Sequence, residues 1–401
     1  MSKKIKLETS DKCTGCMVCA DACPVDCISV TMKKDGHIYP KINHKQCIEC
    51  RKCIDNCPSL QNYNFGSEIK QSKPYAAWSK NDKIRLKSSS GGVFGELALT
   101  ILNREGYVCG VRMNGMKAEH IIISDEADLQ QLMGSKYIQS NPLGIYKEVY
   151  ELLSNGNEVL FSGVGCQIAA LNHYLANKEY NGSLITVDII CHGIPSYFAL
   201  SKHCETQATE KIISFRDKEI GWVVNGKSKS AALTRKLKNK KIIREGDDGK
   251  NFFFNVFYSD LTMRNSCYNC QFRFVNRKAD ISLADYWGIK SFEHEYKKGI
   301  SFVLSHSQKG ETLLDESQIT KHITDWETPL KSNPAVNNND SYLKRHPLRV
   351  FMPLFFNLLK KDFLNKLYTP NPPSTGFYKI LWRINTYFNK KKKCQEKPKL
   401  Q

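Results

Sequence analysis

Two stretches of sequence decide the fold of the N-terminal end: CTGCMVCADACP at residues 13–24 and CIECRKCIDNCP at residues 47–58. Both have the spacing C-x2-C-x2-C-x3-C-P, and together with Cys27 they place nine of the sixteen cysteines in the first 57 residues. In a chain expected to be cytoplasmic, cysteines at this density are not expected to form structural disulfides. The pattern therefore indicates metal or redox chemistry.

The duplicated spacing is the signature of bacterial ferredoxins with two [4Fe–4S] clusters, in which the fourth cysteine of each run binds the other cluster. The first set is Cys13, Cys16, Cys19 and Cys57, and the second set is Cys23, Cys47, Cys50 and Cys53. A zinc site is the alternative, but it typically uses two C-x2-C pairs. Two complete four-cysteine runs go against it. Cys27 lies outside the pattern, and we expect a small buried residue there.

Composition sets the outer limits. A chain of 401 residues and 45.8 kDa has room for two or three domains, and its 41% hydrophobic content excludes a wholly disordered protein. No apolar run is long enough to span a membrane, and the N-terminus lacks the apolar run of a secretory signal. We therefore expect a cytoplasmic protein.

The net charge of +19 has several explanations. It fits a solvated surface, an acidic partner, nucleic acid or an anionic membrane. Each [4Fe–4S] cluster with its four thiolates would contribute about −2, which offsets part of the excess. The charge alone therefore decides nothing, and no motif for nucleic-acid binding is present.

Apolar runs and turn signals predict the overall organisation. Residues 28–32 and 37–42 are expected to form a hairpin, residues 159–161 and 184–190 buried strands, and residues 93–103 and 143–153 helices. The fold class is therefore α+β: a small βαβ-type dicluster module, an α/β body and a helical basic tail. The expected domain boundaries are 1–62, 73–155, 156–325 and 340–401.

Several peptides have the composition of sites. The loop SSSGG, residues 88–92, runs into a helix, where backbone N–H groups suit a phosphate or a flavin edge, although such loops are usually plain turns and caps. GVGCQ (163–167) and DIICHGIPS (188–196) each follow a predicted strand, where α/β folds build their sites. SCYNC (266–270) supplies a C-x2-C pair, and ADISLADYWG (279–288) closes the series.

These peptides, with GSKYIQS (134–140) and FRDKEIGW (215–222), resemble the beta subunits of coenzyme F-420 hydrogenases and dehydrogenases in the branch with a fused ferredoxin module. The resemblance spans roughly residues 10–320 in the family's order. It implies a flavin-binding body that holds FAD. The predicted cofactor contacts are Ser88, Ser89, Ser90, Gly91, Gly92, Lys136, Tyr137, Gln139, Gln167, Asp285 and Trp287. The resemblance implies all of them except Asp285 and Trp287, which the sequence itself offers.

The resemblance also implies a third cluster beside the flavin. Its ligands would be a third set of four, the number that one cubane requires: Cys166, Cys191, Cys267 and Cys270. The alternative is that Cys166 and Cys191 are buried structural thiols and that the 267/270 pair is incidental. His192 is a candidate catalytic proton donor beside a flavin, or else a residue that orients its own loop.

The tail has apolar residues at near-helical spacing and ends in Lys390–Lys393. It predicts either helices packed on the core or a peripheral segment on the inner face of the membrane or on a partner. The resulting hypothesis is an iron–sulfur flavoprotein oxidoreductase. Its partners would be a redox protein or a hydride-carrying small molecule such as a deazaflavin. The alternatives are a non-catalytic electron carrier and a membrane-docked reductase in polysaccharide biosynthesis.

Overall fold

The computed structural model describes residues 7, 11–60, 72–206, 209–218, 221–228, 252–273, 277–333, 335, 343 and 349. Residues 11–60 form a small unit, called here the cysteine module. Residues 72–333, apart from the gaps just given, form the body. The expected basic tail, residues 340–401, lies outside the described residues except for Leu343 and Arg349.

The cysteine module contains one antiparallel hairpin between two helices of one turn each. Its elements are α1 (Val18–Asp21), β1 (Ile28–Met32), β2 (Ile38–Ile42) and α2 (Lys52–Asp55). The hairpin prediction is confirmed, with Gly36 at φ 73° in the turn. Within the described residues the module shows α1 before the hairpin and α2 after it. A βαβ-type arrangement would need a further strand before α1 or after α2, in stretches outside the described residues, so it stays a prediction.

The body alternates strands and helices along the chain. Its strands are β3 (Lys73–Ser79), β4 (Tyr107–Asn114), β5 (Lys117–Ile123), β6 (Ser140–Asn141), β7 (Glu158–Val164), β8 (Ser183–Ile189), β9 (Thr209–Asp217), β10 (Gly221–Ser228), β11 (Ile281–Asp285), β12 (Ser301–Ser305) and β13 (Ile319–Ile323). Its helices are α3 (Asp82–Lys87), α4 (Val93–Leu102), α5 (Leu129–Leu132), α6 (Ile145–Ser154), α7 (Gly165–Leu175), α8 (Tyr197–Thr206), α9 (Phe252–Tyr258), α10 (Asn265–Tyr268), α11 (Glu293–Tyr296), α12 (Gln308–Glu316) and α13 (Glu327–Ser332), with a 3-10 turn at Glu126–Asp128.

Nine of these strands form one mixed sheet in the order β13-β3-β12-β11-β8-β7-β4-β5-β6, and β9 pairs with β10 in a separate hairpin. Strands β11, β8, β7 and β4 run parallel to one another. Their carboxyl ends therefore meet at one edge of the sheet, the edge at which α/β folds place their sites. The predicted strands near 159–161 and 184–190 and the predicted helices near 93–103 and 143–153 are confirmed.

Alternate residues of the central strands face opposite layers of core. Leu160 and Val187 contact the layer that contains α4 and α12, whereas Val159 and Phe161 contact the layer that contains α6 and α7. All four side chains are fully buried. Strands covered on both faces need continuous apolar sequence, which explains the run at residues 159–161.

The cysteine module is seated on the second of these layers. Cys16 and Val18 belong to the same apolar cluster as α6 and α7. The Asp21 carboxylate accepts hydrogen bonds from the backbone N–H groups of Gly144, at 2.8 Å, and Tyr146, at 2.9 Å. Asp21 therefore caps the N-terminus of α6 from another part of the chain. Burial raises the pKa of Asp21 to about 6, although the backbone N–H groups act in the opposite direction.

None of the helices within the described residues is long and apolar enough to cross a membrane. This agrees with the absence of a long apolar run in the sequence.

The cap gives the first prediction. Asp21→Ala removes the acceptor for two helix N–H groups, which should cost about 1–2 kcal/mol. Hydrogen–deuterium exchange of a peptide covering residues 143–150 should become roughly 5- to 30-fold faster, since each 1.4 kcal/mol is a tenfold change.

The matched control is Asp26→Ala, because the Asp26 carboxylate is 75% exposed and pairs with the surface residue Lys147. Exchange in this variant should equal that of the wild type. Equal protection in the Asp21 and Asp26 variants would mean that the cap does not hold the module to the body.

Candidate metal centres and cofactor site

The first set of cysteines converges at one place in the module. Cys16 and Cys19 flank the start of α1, where Met17 adopts a left-handed φ of 59° that turns the chain sharply. Burial raises the pKa of Cys16 to about 12, and the neighbouring thiols of Cys57 and Cys13 contribute to that rise. Such mutual effects require short separations. The structure therefore brings together the four cysteines that the spacing assigns to one cluster.

The second set lies around a cavity at the outer side of the module. This cavity is lined by Cys23, Cys27, Cys47, Cys50 and Cys53, with Val25, Ile28, Ile42, Ile48 and Arg51. Burial raises the pKa of Cys53, and the thiols of Cys50, Cys47 and Cys23 add to the shift. Cys27 is buried as expected, but its Sγ is only 3.4 Å from Cys23 Sγ. It therefore packs directly against the set without being part of the motif.

The third set comes from three separate parts of the body. Cys166 is in the first turn of α7, Cys191 follows β8, and the pair Cys267 and Cys270 lies in and just after α10. Burial raises the pKa of Cys166, followed by the effects of Cys270, Cys16, Cys191 and Cys267. Burial and then Cys270 raise the pKa of Cys267 to about 11. The four thiols are half-buried and lie close enough to influence one another. Their role as cluster ligands remains a prediction.

The donor chemistry of the three sets fits iron–sulfur clusters. All described cysteines are free thiols. In each set burial and neighbouring thiols raise the pKa of one member, namely Cys16, Cys53 and Cys166. Bound cations would oppose that effect. Among the described residues, no group of three or more His, Cys, Asp or Glu side chains is arranged to hold a single metal ion.

The three sets lie in a row. Cys19 of the first set packs in one apolar cluster with Cys23 and Cys53 of the second set. Cys16 of the first set packs in another cluster, which includes Ile168 and Ala170 of α7, the helix that carries Cys166. The first set is therefore the middle member. Its backbone is fixed by Tyr146, which is fully buried and donates its hydroxyl proton to the carbonyl oxygen of Cys16 at 2.9 Å.

Arg264 occupies the contact between the first and third sets. It is 1% exposed, and its guanidinium donates to the carbonyl oxygen of Cys13 at 2.7 Å and to Cys13 Sγ at 3.5 Å. It also donates to the carbonyl oxygen of Ile38 at 2.8 Å and lies 4.0 Å from the centre of the Tyr39 ring. Sequence reasoning missed this residue. The only signal is an arginine three positions before Cys267.

The serine-glycine loop lies at the carboxyl edge of the sheet, next to the start of β12. Ser88 donates to the carbonyl of Ile84 and Ser90 to that of Ile300, while Ser89 Oγ accepts from the N–H of Ser135 at 2.8 Å. The two segments expected to hold FAD are therefore in contact. A Cβ on Gly91 would come within 2.5 Å of the Ala77 carbonyl, so the glycine allows the loop to pack against β3.

Two of the proposed flavin residues are occupied by contacts within the body. Lys136 Nζ donates to the carbonyls of Gln131, Leu132 and Met133, and burial lowers its pKa to about 7. Tyr137 packs edge-on against Phe254 and Phe257, in an aromatic cluster with α9. Both side chains hold this part of the body together.

The two glutamines have different surroundings. Gln139 contacts the cysteine module, because its Oε1 accepts from the N–H of Ile38 at 2.9 Å and from Arg264 at 3.2 Å. Gln167 is buried next to Cys166. It accepts from the N–H of Val164 and donates to Ser140 Oγ, both at 3.0 Å. Gln139 therefore lies in the contact between the cysteine module and the body, called here the seam. Gln167 instead orders the start of α7.

Basic side chains lie beside the serine-glycine loop. Arg216 makes two hydrogen bonds to the Asp285 carboxylate, at 2.7 and 2.6 Å, at the end of β11. Lys218 donates to the carbonyl of Ser90, and burial lowers its pKa to about 8. Trp287, two residues beyond Asp285, is half-buried. Arg216 and Lys218 thus place two basic groups beside the loop at the sheet edge.

His192 directly follows Cys191 of the third set. Its Nε2 donates to Asp260 Oδ1 at 2.9 Å, and its ring lies 4.8 Å from that of Phe257. Asp260 is 1% exposed. The carboxylate fixes the orientation of the imidazole, a contact with a side chain rather than with the backbone of its own loop.

Comparison with known proteins identifies the family. The N-terminal model described as "Coenzyme F420 hydrogenase/dehydrogenase, beta subunit" matches residues 74–146, its C-terminal counterpart matches residues 156–327, and "4Fe-4S dicluster domain" matches residues 12–60. The chain belongs to the coenzyme F420 hydrogenase/dehydrogenase beta subunit family and carries a 4Fe-4S dicluster domain. It is an iron–sulfur electron-transfer protein of an oxidoreductase family.

Curated relatives share a shorter region. NADH-quinone oxidoreductase subunit I 2 of Symbiobacterium thermophilum is 37% identical over 62 residues, 14% of this chain and 26% of that protein. A ferredoxin of Rickettsia felis is 37% identical over 51 residues, 12% of this chain and 42% of that protein. The chain therefore spans about a quarter and about two fifths of the lengths of these relatives.

A solved structure of the F420-reducing [NiFe] hydrogenase complex from Methanosarcina barkeri contains a chain that is 15% identical, with a TM-score of 0.43. The match covers 80% of this chain and 92% of that chain. Similarity at this level supports no detail of the site.

Arg264 gives the second prediction. A positive charge that donates to a ligand sulfur stabilises the reduced, more negative cluster. Arg264→Gln should therefore lower the midpoint potential of one of the two clusters in the cysteine module, measured by a redox titration followed by EPR.

Arg264→Lys keeps the charge and should shift the potential less. Iron content in both variants serves as the control for cluster loss. Midpoints in the glutamine variant that are unchanged from the wild type would contradict a role for the guanidinium in setting the potential.

Proposed function

We propose that this chain is an iron–sulfur flavoprotein oxidoreductase that passes electrons between FAD and [4Fe–4S] clusters. The single observation that carries the proposal is the row of three cysteine sets described above. Two sets are in the dicluster domain, and the third lies at the carboxyl edge of the sheet. A row of this kind suits a protein that connects a site inside the body with a partner outside it.

Support for a flavin comes from the sheet edge. Ser89, through its contact with Ser135, joins the two segments that the family resemblance assigns to FAD. Arg216 and Lys218 supply positive charge beside the same loop, which suits a diphosphate. When bound there, FAD would exchange two electrons with a hydride donor and single electrons with iron–sulfur centres. Cys191 and His192 follow β8 at this same edge of the sheet, so thiol and imidazole groups lie on the same side of the sheet as the loop.

His192 is the proposed proton-carrying residue of the site. Asp260 accepts from its Nε2, which would orient the imidazole for proton transfer. The hydride partner would be a deazaflavin of the coenzyme F420 type or another small hydride carrier. Membrane docking in polysaccharide biosynthesis depends on the tail, which lies almost entirely outside the described residues.

One observation favours the second candidate, an electron carrier without flavin. Lys136 Nζ donates hydrogen bonds to three backbone carbonyls, and the hydroxyl groups of Ser88 and Ser90 also donate to backbone carbonyls. These groups would hold the loop rather than a ligand. The two candidates therefore differ in one measurable quantity, the flavin content of the purified protein.

The third prediction distinguishes them. Anaerobically purified protein, reconstituted with FAD, should contain about twelve irons and one flavin per chain, since three cubanes carry four irons each. About eight irons with one flavin would remove the third cluster from the proposal. About eight irons without flavin would leave the carrier function.

The fourth prediction tests the third set. Cys267→Ser combined with Cys270→Ser should lower the iron content by about four atoms per chain and leave the two ferredoxin-type EPR signals in place. The matched control is Cys204→Ala, since Cys204 is a fully buried thiol in α8 outside all three sets. An iron content equal to that of the control would show that the pair binds no cluster.

A further inference from the structure

We propose that the outer face of the cysteine module is the docking surface for a small acidic electron-carrier protein. This outer face comprises Val25, Lys41, Lys45, Ile48, Cys50, Arg51 and Lys52. The inference rests on the proposed function in one respect only, namely that electrons enter or leave the protein through the dicluster domain. In the transfer, one electron moves between a cluster of the module and the carrier's redox centre. One of the two is oxidised as the other is reduced.

The second set is the one that approaches solvent. Of the described cysteines, Cys50 alone is exposed. Cys16 and Cys19 of the first set are each only 7% exposed, and the third set lies at the sheet edge of the body. Because electron transfer between proteins requires close approach of the two centres, a partner has its shortest path at Cys50.

The opposite side of the module is already occupied. Gly36 accepts from the N–H of Tyr197 at 2.9 Å, and Asp21 caps α6. Gln271 of the body donates to the carbonyl of Pro58 at 3.0 Å. These contacts orient the module so that the cavity of the second set is left for an external partner.

The outer face combines apolar surface with positive charge. Ile48 is 61% and Val25 is 39% exposed, and both line the cavity of the second set. Lys41, Lys45, Arg51 and Lys52, which lie close to Ile48 in the sequence, are all exposed, and Arg51 lines the same cavity. Exposed apolar residues rimmed by charge are typical of protein interaction sites.

The sign of the charge selects the partner. Glu49 is the one acidic residue between positions 41 and 52, against four basic residues in the same stretch. The nearby carboxylate of Asp26 is paired with Lys147. Complementarity therefore favours an acidic surface, and mutual attraction would steer the carrier toward the exposed set. A carrier with its own acidic patch around an iron–sulfur centre has the matching chemistry.

The test uses the full chain with its clusters loaded and an acidic bacterial-type [4Fe–4S] ferredoxin as the probe. Lys45→Glu combined with Lys52→Glu should weaken binding of the probe roughly 10-fold at low salt and remove most of its salt dependence. The matched control is Lys117→Glu combined with Lys290→Glu, which makes the same charge change at two exposed positions of the body. The control should bind like the wild type.

A second readout separates docking from cluster damage. Dithionite-reduced protein should transfer electrons to the ferredoxin more slowly in the Lys45/Lys52 variant, while reduction of a small neutral dye proceeds at the wild-type rate. Equal binding and equal rates in both variants would overturn the proposal. So would binding of the wild type to vesicles containing anionic lipid, if the variant lost that binding but kept its affinity for the ferredoxin.

Failure of the proposed function would look different. A protein with eight irons and no flavin would still bind the acidic ferredoxin through the outer face. It would also still pass electrons to the ferredoxin, because dithionite supplies the electrons in this experiment. Loss of ferredoxin binding in a chain that holds FAD and twelve irons would instead refute the docking surface alone.

Discussion

The arrangement of this protein depends on the seam between the cysteine module and the sheet, and Arg264 is its central contact. A buried guanidinium needs acceptors for its donors, and here they are the carbonyls of Cys13 and Ile38 and the Oε1 of Gln139. The same group touches Cys13 Sγ. A structural requirement for satisfied hydrogen bonds therefore fixes the first cysteine set beside the third.

Much of this could be predicted from the sequence, because the signals are local. Spacing alone assigned the first two sets, and apolar runs located β7, β8, α4 and α6. The Asp-Gly turn at residues 35 and 36 correctly predicted the hairpin of the module. Family resemblance supplied the third set, whose members the structure brings together.

The contacts across the seam could not be predicted in the same way. Arg264 and Cys13 are separated by 251 residues, and Asp21 and Tyr146 by 125 residues. No periodicity or spacing records such pairs. Lys136 and Gln139 illustrate the opposite difficulty. Both belong to GSKYIQS, a peptide predicted to form part of a site, yet Lys136 contacts the end of α5 and Gln139 contacts the cysteine module. Residue type indicates which chemistry is available, and only the fold shows where it is used.

The cap that Asp21 places on α6 has a consequence for how the protein is made. The module precedes α6 in the chain, so it leaves the ribosome well before the helix that it caps. The first N–H groups of α6 have their designated acceptor only once α1 has its own structure, which depends on the cysteines around it. Assembly of the metal centres and completion of the sheet's helical layer are therefore linked steps in the maturation of one chain.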